Sequence, residues 1–229
     1  MNLSRQSKLV PPDELTKWNF HIFGIGSVGS HIANLLAKTG FQNLFVYDMD
    51  KVDEENIGPQ AFRISDIGKD KVEAIKEIIK ENTDFDIEAI NGIVDENTDI
   101  PIEPNTFYIC VFDSIAGRKM VYDKIKNMPC IFIDGRIGRY EMSHFLVNCV
   151  NEDEKTEYEK TLPSGEGSDL VCGEKASAFI NYTIAGLMVS NIINFVKGEP
   201  YTKRYLGNAL NHLTDIEIKS VLSDDGSGV

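Results

Sequence analysis

Three glycines near the N-terminus have the spacing of a phosphate-binding turn. The stretch FGIGSVGSH, residues 23 to 31, matches G-x-G-x-x-G at Gly24, Gly26 and Gly29. The first glycine of such a turn permits a tight bend, the second lets the backbone approach phosphate oxygens, and the third lets a helix pack closely on a strand. With Ser27 in the same turn, these residues are the first candidates for contacts to a nucleotide.

An acidic residue follows at the distance expected for ribose recognition. Asp48 lies 24 positions after Gly24, near the spacing of about 20 at which a carboxylate meets ribose hydroxyls in turns of this kind. A carboxylate in that position rejects a 2′-phosphate. By themselves, the turn and Asp48 therefore predict an NAD-dependent oxidoreductase.

The connection after Asp48 carries more polar chemistry than an oxidoreductase requires. Residues 47 to 74 read YDMDKVDEENIGPQAFRISDIGKDKVEA. This stretch resembles the ThiF/MoeB family, the activating enzymes of ubiquitin-like and sulfur-carrier proteins, whose pattern runs roughly D-x-D-x-V-x-x-x-N-L-x-R-Q and then D-I-G-x-x-K. The residues that match in type and order are Asp48, Asp50, Val52, Asn56, Gln60, Asp66, Ile67, Gly68 and Lys71.

Two further motifs extend the resemblance. Asp113, Ser114 and Arg118 in FDSIAGRK look like the strand-end motif D-N-x-x-x-R of the family. Arg5 and Gln6 look like its N-terminal Arg-Gln pair, whose arginine reaches the nucleotide of the opposite subunit in a homodimer. Three motifs in order are far more specific than a glycine turn, and the short chain looks like a minimal bacterial or phage-type member.

The resemblance implies Mg-ATP as the cofactor and the adenylation of a carboxylate, which attacks the α-phosphate while pyrophosphate leaves. Such a site must neutralise negative charge and align the reacting groups. The helix N-terminus at the glycine turn would offer N–H groups to phosphate, and one carboxylate, Asp113, would hold magnesium. The implied catalytic residues are Arg5, Asn56, Lys71, Asp113 and Cys172, and the implied nucleotide contacts are Gly24, Gly26, Ser27, Gly29, Asp48, Asp50, Asn56, Gln60, Arg63 and Lys71.

Three of these residues also have a purely structural interpretation. Asp113 could cap the helix expected at 117 to 128, Lys71 could be a solvated helix charge, and Arg5 could belong to a frayed terminus. These alternatives remain open at the level of the sequence.

The sequence departs from the family pattern at several points. The arginine of N-L-x-R-Q falls on Pro59, so one phosphate contact is missing unless Arg63, Arg136 or Arg139 replaces it. Serine stands for asparagine at position 114. The paired C-x-x-C ligands of many members are absent, so no zinc is expected. These departures bear on catalysis more than on fold or nucleotide binding.

The four cysteines are widely spaced, and no disulfide is expected in a reducing compartment. Cys110, Cys130 and Cys149 lie in apolar runs and are expected to be buried. Cys172 follows a polar, glycine-containing stretch. It could accept the activated chain as a thioester, or it could simply pack.

Charge and hydropathy limit the classes of partner. The formal charge of -13 argues against a nucleic-acid or anionic-membrane surface, because phosphate affinity needs clustered lysine and arginine. The N-terminus lacks the apolar region of a signal peptide, and a cytoplasmic location is expected. The apolar segment 176 to 198 contains several polar residues, and we expect a buried helix there rather than a membrane span.

Apolar runs alternate with helical periodicity along the chain, which predicts a doubly wound α/β fold with a mainly parallel, Rossmann-like sheet. We expect a single domain over 1–229, with a nucleotide-binding core at 18–150 and an additional C-terminal part of mixed strand and helix. Residues 139 to 150 are expected to form two short strands with a bend. Residues 151–175 should be a mobile crossover loop, and 176–223 a helix and a tail.

These observations together predict ATP-dependent adenylation of the C-terminal carboxylate of a small ubiquitin-like or sulfur-carrier protein. Transfer to Cys172 is a conceivable second step. One alternative is an enzyme that adenylates a peptide, a small molecule or an RNA group. Another is a catalytically impaired, dimeric partner-binding relative, which Pro59 suggests. An NAD oxidoreductase ranks last, because it gives the polar residues between 50 and 71 no purpose.

Overall fold

A computed structural model describes residues 1–92, 94–162, 177–209 and 213–219. Short 3-10 turns lie at Pro12–Glu14, Glu54–Asn56 and Ile64–Asp66. The helices and strands in chain order are β1 Asn19–Phe23, α1 Gly29–Thr39, β2 Asn43–Asp48, α2 Lys71–Thr83, β3 Glu88–Asn91, β4 Thr106–Cys110, α3 Ile115–Ile125, β5 Ile131–Gly138, β6 Glu141–Asn148, α4 Glu152–Glu159, α5 Ala178–Val196, β7 Tyr201–Asn208 and β8 Leu213–Lys219.

All eight strands lie in one sheet, in the order β3-β2-β1-β4-β5-β6-β7-β8. The first five strands in this order, β3 to β5, pair in parallel, and the pairings from β5 to β8 are antiparallel. The chain adds β2 and β3 on one side of β1 and then crosses to β4 on the other side. This strand order confirms the predicted Rossmann-like architecture. In open α/β sheets, ligands bind where the strand order reverses in this way.

Helices cover both faces of the sheet, because its central strands are apolar on both sides. One core joins β1 residues such as Phe20 and Ile22 to buried side chains of α1, α2 and α5. A second core joins Phe23 and Tyr108 to buried side chains of α3 and to Tyr158 of α4. The sheet is therefore the middle layer of three.

Helix α1 shows how local sequence builds the first crossover. Ile32, Ala33, Leu36 and Ala37 are fully buried at helical spacing. The helix ends at Gly40, whose φ of 114° lies in the left-handed region, and the Gly40 N–H donates to two carbonyls of the last turn. This glycine stop brings the chain straight back into β2.

The expectation of two short strands at 139 to 150 is wrong. Strand β6 runs unbroken from Glu141 to Asn148 and pairs with β5 in continuous register from Ile131↔Asn148 to Gly138↔Glu141. Its side chains point alternately to the two faces of the sheet and pack into both cores, so the strand needs no bend.

The expected loop at 151–175 begins with a helix, so that part of the prediction is wrong. Asn151 caps α4, since its side chain accepts hydrogen bonds from the N–H groups of Asp153 and Glu154. Only Glu154 and Tyr158 of α4 are buried, which left too weak an apolar pattern to recognise. Residues 163 to 176, and with them Cys172, lie outside the described residues.

The expected tail of 176–223 is also corrected. Helix α5 occupies the predicted apolar segment, but a β-hairpin of β7 and β8 follows it and extends the sheet. Among the helices that the structure describes, α5 has the length and hydropathy of a membrane span, and half of that stretch is buried inside the protein.

Candidate functional site

The glycine turn has the geometry that its spacing predicts. Gly24 has a φ of 92°, and a Cβ on it would lie 2.8 Å from Cβ of Phe112. A Cβ on Gly29 would lie 1.8 Å from the Gly24 carbonyl oxygen. A Cβ on Gly26 would meet nothing within 4 Å. Two glycines therefore serve the fold, and the third leaves open backbone at the N-terminal end of α1, where a phosphate can approach.

Asp48, the last residue of β2, holds this turn in place. Its Oδ2 accepts a hydrogen bond of 2.6 Å from the N–H of Ile25, and its Oδ1 accepts one of 2.9 Å from the N–H of Asp50. Because each carboxylate oxygen can accept a second hydrogen bond, Asp48 retains capacity for ribose hydroxyls.

Lys71 and Asp50 form an ion pair beside the same sheet edge. The Lys71 Nζ lies 2.9 Å from Asp50 Oδ2, with the lysine side chain 9% exposed and the aspartate side chain 57% exposed. The backbone N–H of Lys71 also donates to the Asp50 carbonyl oxygen, at 2.9 Å. The alternative of a solvated helix charge is therefore wrong, because Lys71 is buried and its ammonium group is held at one position.

Asn56 and Gln60 lie in the polar loop, which we define as residues 49–70. Asn56 Oδ1 accepts a hydrogen bond of 2.9 Å from the N–H of Asp53, and the side-chain N–H groups of Asn56 have no acceptor in the part of the chain that is described. The Gln60 N–H donates to the Asn56 carbonyl oxygen. The Oε1 atom of Gln60 is buried and has no hydrogen-bond partner among the described residues. Both side chains thus offer unused polar atoms.

Arg63 does not replace the arginine missing at position 59. Its guanidinium contacts Asp66 through two nitrogens at 2.9 and 3.0 Å, and it also pairs with Glu81 and, at 3.6 Å, with Glu77 of α2. These carboxylates raise the pKa of Arg63, the hydrogen bond to Asp66 being the largest cause. Its expected phosphate contact thus finds no support, because the side chain ties the polar loop to α2.

Asp113 stands just beyond the end of β4 with its carboxylate exposed and, across the part of the chain that is described, without a hydrogen-bond or ion-pair partner. The cap of α3 is Ser114 instead, whose Oγ accepts a hydrogen bond of 3.1 Å from the N–H of Gly117. The capping interpretation of Asp113 is therefore wrong. The serine that departs from the family pattern performs that role, and Asp113 is left for a ligand.

Arg118, the last residue of the same motif, is a buried structural residue. It donates to the Asp134 carboxylate, to the Cys110 carbonyl oxygen at 3.2 Å and to the Gly135 carbonyl oxygen at 2.7 Å. These bonds fix the end of β4 and the middle of β5 to α3.

Asp134, which the sequence analysis missed, organises this cluster. Its fully buried carboxylate also accepts hydrogen bonds from Arg136 Nε at 2.8 Å and from the Tyr158 hydroxyl at 3.0 Å. Burial raises the pKa of Asp134, but the charges of Arg118 and Arg136 outweigh burial and lower it overall. The sequence does mark Asp134, because it is the first polar residue after the apolar run that begins β5. The contact with Asp134 also occupies Arg136, the second candidate for the missing arginine.

The N-terminal segment is folded, not frayed. Its residues form successive hydrogen-bonded turns, Val10 is 3% exposed, and the Gln6 side chain donates to the Lys38 carbonyl oxygen at 3.1 Å. Lys38 lies at the C-terminal end of the 11-residue helix α1, about 16 Å from the glycine turn at the other end. The exposed Arg5 therefore stands far from the glycine turn of its own chain.

Cys110, Cys130 and Cys149 are buried, as predicted. No group of three or more histidine, cysteine, aspartate or glutamate side chains in the described ranges could hold a metal ion. A magnesium ion needs no such group, since it is commonly held by one or two carboxylates together with substrate phosphates and water, and Asp113 has the right chemistry for that.

Comparisons with known proteins show which family and which solved structures the chain resembles. The model of the ThiF family matches residues 3–224. The chain is similar to the NEDD8-activating enzyme E1 catalytic subunit of Arabidopsis thaliana, at 30% identity over 49% of this chain and 24% of that protein. Its similarity to the Caenorhabditis elegans counterpart is 27% identity over 50% of this chain and 27% of that protein. The chain thus spans about a quarter of the length of these relatives.

Solved structures share the fold. The Microcin C7 biosynthetic enzyme MccB in complex with N-formylated MccA has a TM-score of 0.72 at 17% identity, covering 91% of this chain and 66% of that chain. PaaA has a TM-score of 0.69 at 20% identity, covering 91% of this chain and 74% of that chain. E. coli MccB with ATP also has a TM-score of 0.69, at 17% identity over 91% of this chain and 65% of that chain.

Proposed function

Because the chain belongs to the ThiF family, we propose that it binds Mg-ATP and adenylates the C-terminal carboxylate of a small protein or peptide. One observation carries this proposal. The parallel strands β2, β1 and β4 are adjacent in the sheet. Asp48 is the last residue of β2, the glycine turn follows β1, and Asp113, which has no partner among the described residues, follows β4, all at the carboxyl ends of the strands. An MccB solved with ATP has the same fold.

Each residue at this edge has a task in the proposed reaction. The open backbone at Gly26 faces phosphate oxygens, Asp48 accepts hydrogen bonds from the ribose, and Lys71 holds positive charge near the phosphates. The substrate carboxylate attacks the α-phosphorus, the bond to the bridging oxygen breaks, and pyrophosphate leaves with that oxygen. When bound at Asp113, magnesium offsets the negative charge on the phosphates.

Because the arginine of the family pattern is missing, a residue of a second chain could supply further positive charge to the phosphates. Two of the three candidates to replace that arginine, Arg63 and Arg136, are paired with carboxylates. We propose a homodimer in which Arg5 of each chain serves the other chain's phosphates. The distance of Arg5 from its own glycine turn supports this arrangement.

The substrate is proposed at the level of chemical class. The relatives reported above are NEDD8-activating enzymes, and an MccB neighbour was solved in complex with MccA. We propose a protein or peptide that ends in a free α-carboxylate, with a ubiquitin-like or sulfur-carrier protein as the first candidate. Transfer of the activated carboxylate to Cys172 is proposed as a second step, tested by loss of a thioester in Cys172→Ala.

Pyrophosphate exchange into ATP tests the proposal. We expect exchange that requires a carrier or peptide, that falls at least about a hundredfold in Asp113→Asn because the magnesium ligand is lost, and that is unchanged in Asp153→Asn. Asp153 is an equally exposed aspartate at the start of α4, by the opposite edge of the sheet. Equal exchange in the two variants would contradict the role of Asp113.

A second candidate function is ATP binding without catalysis, which the proline at position 59 favours. It predicts saturable ATP binding by calorimetry with no exchange in the presence of any carrier or peptide. Binding of NAD in place of ATP would contradict both candidates.

A further inference from the structure

Residues 59 to 61 of the polar loop are held from two helices at once. The Pro59 carbonyl oxygen accepts a hydrogen bond of 3.1 Å from His31 Nε2 of α1 and one of 2.9 Å from Asn181 Nδ2 of α5. The N–H of Ala61 donates to Ser30 Oγ at 3.1 Å. The two donor side chains thus converge on one carbonyl group from elements that are far apart in the chain.

The third of these contacts reaches the glycine turn directly. The Ser30 hydroxyl, which accepts from Ala61, itself donates to the Gly26 carbonyl oxygen at 2.7 Å. Gly26 is the residue whose open backbone faces the expected phosphates. A single hydroxyl therefore fixes the spacing between the phosphate-binding turn and the loop that carries Gln60.

All three side chains are fixed by burial. Ser30 and Asn181 are 0% exposed and His31 is 2% exposed. Burial lowers the pKa of His31, and its bond to Pro59 only partly opposes this. The ring is therefore neutral at pH 7, and its single proton lies on Nε2, since a carbonyl oxygen can only accept. The ring also packs on Tyr182 of α5, with ring centroids 4.0 Å apart.

From this geometry we propose that Ser30, His31 and Asn181, which we call the loop clamp, position Asn56 and Gln60 for ATP. The proposal rests on the proposed ATP binding and adds positioning residues to it. Gln60 follows Pro59 directly, and its N–H is bonded to the Asn56 carbonyl oxygen, so holding Pro59 holds both polar side chains. Proline at position 59 has a fixed φ, and its carbonyl oxygen accepts two hydrogen bonds. The family pattern has an arginine at this position.

The loop clamp predicts different results for two buried asparagines of the same helix. Asn181→Ala removes a bond to the polar loop, whereas Asn191→Ala removes bonds to the backbone of Thr202 at 2.7 Å, away from the site. Both variants should lose stability. Only Asn181→Ala should weaken ATP binding, by roughly tenfold, the worth of one buried hydrogen bond, and only it should speed amide hydrogen exchange at residues 56 to 61.

A second pair of variants keeps the test decisive if Asn181→Ala does not fold. Ser30→Ala removes only the hydroxyl that joins Gly26 to Ala61. Its control, Thr39→Val in the same helix, removes a hydroxyl bonded at 2.8 Å to the Leu35 carbonyl oxygen. We expect faster exchange of the Ala61 amide and weaker ATP binding in Ser30→Ala alone. His31→Gln, which keeps an N–H donor, should retain more ATP affinity than His31→Leu.

The outcomes separate this inference from the proposed function. If the wild type binds ATP while Asn181→Ala and Ser30→Ala match their controls in affinity and in amide exchange, the loop clamp is overturned and the proposed function stands. If the wild type binds no ATP by calorimetry, the proposed function fails, and the loop clamp fails with it.

Discussion

At the scale of single residues, the three glycines of the turn have two roles. Two of them are required by the fold, and the third leaves room for a ligand. Gly24 and Gly29 are required because a side chain on either would collide with neighbouring atoms, the backbone oxygen of Gly24 in the case of Gly29. Gly26 has no such neighbour. Its lack of a side chain matters only if something approaches the turn from outside.

Alanine substitutions should separate these two needs. Gly26→Ala should fold with a free energy of unfolding within about 1 kcal/mol of the wild type and should lose ATP affinity, because the methyl group occupies the approach to the phosphates. Gly29→Ala should lose about 3 kcal/mol or more through overpacking. Urea denaturation and calorimetry check both. Normal ATP affinity in Gly26→Ala would contradict phosphate binding at the turn.

A buried histidine predicts how stability depends on pH. Burial lowers the pKa of His144 to about 4, and the ring stacks on Tyr205 with one nitrogen buried and without a partner among the described residues. The unfolded chain takes up a proton below pH 6.5 while the folded chain does not. Stability should therefore fall from pH 6.5 to about 4, by up to about 3 kcal/mol for this residue.

His144→Phe should reduce that pH dependence, because phenylalanine keeps the ring contact and does not titrate, and the dependence that is left would come from other buried histidines such as His21, whose pKa burial also lowers to about 4. Urea midpoints of the wild type and the variant at several pH values between 4 and 7 provide the measurement. Parallel curves for the two proteins would show that His144 is not the group responsible.

The site residues differ in how far sequence alone could identify them. Asp48 and Asp113 follow apolar runs that end at the same sheet edge, so position alone made them candidates. Asp134 follows a run of the same kind, and the same rule, applied to β5, would have found it. Asn181 gives no such signal, since its partner Pro59 lies 122 positions away and nothing local marks it as a site residue.

At the scale of elements, strong apolar periodicity made the first half of the fold predictable. Strands β1 and β4 have continuous buried runs, β2 buries Leu44, Val46 and Tyr47, and helix α1 has a clear helical face. Helix α4 and the hairpin of β7 and β8 do not. Helix α4 buries only two side chains, and the outer strand β8 has exposed side chains at Thr214 and Ile218. These elements depend on tertiary contacts that short windows of sequence do not contain.

One such contact joins α4 to the hairpin. The Tyr201 hydroxyl of β7 donates to the buried Glu154 carboxylate of α4 at 2.9 Å. Tyr201→Phe should lower the free energy of unfolding by about 1 to 2 kcal/mol without changing ATP affinity. Tyr182→Phe, whose residue is 57% exposed, is the matched control, and an equal loss in chemical denaturation would argue against the contact.

At the scale of the whole molecule, the net charge of -13 makes the source of positive charge at the phosphates important. Lys71 is paired with Asp50, and Arg63, Arg118 and Arg136 are paired with other carboxylates. If Arg5 acts across a dimer, each site depends on two chains.

Mixing inactive variants tests that dependence. Arg5→Ala and Asp113→Asn should each abolish pyrophosphate exchange. A mixed dimer has one complete site, formed by Asp113 of the first variant and Arg5 of the second. Random mixing after dissociation should therefore restore about a quarter of wild-type exchange. If Arg5 acts within its own chain, no mixture recovers activity, and analytical ultracentrifugation establishes that mixed dimers formed.

The hydrogen bond between Asn181 and Pro59 also sets an order of events during biosynthesis. A ribosome that adds about 5 to 20 residues per second needs roughly 6 to 24 s to travel the 122 positions between the two partners. By the end of that interval the nascent chain contains the glycine turn, Asp48, Lys71 and Asp113. The loop clamp is complete only when α5 has been synthesised, so the proposed nucleotide binding would be acquired after that helix and not when the glycine turn itself is made.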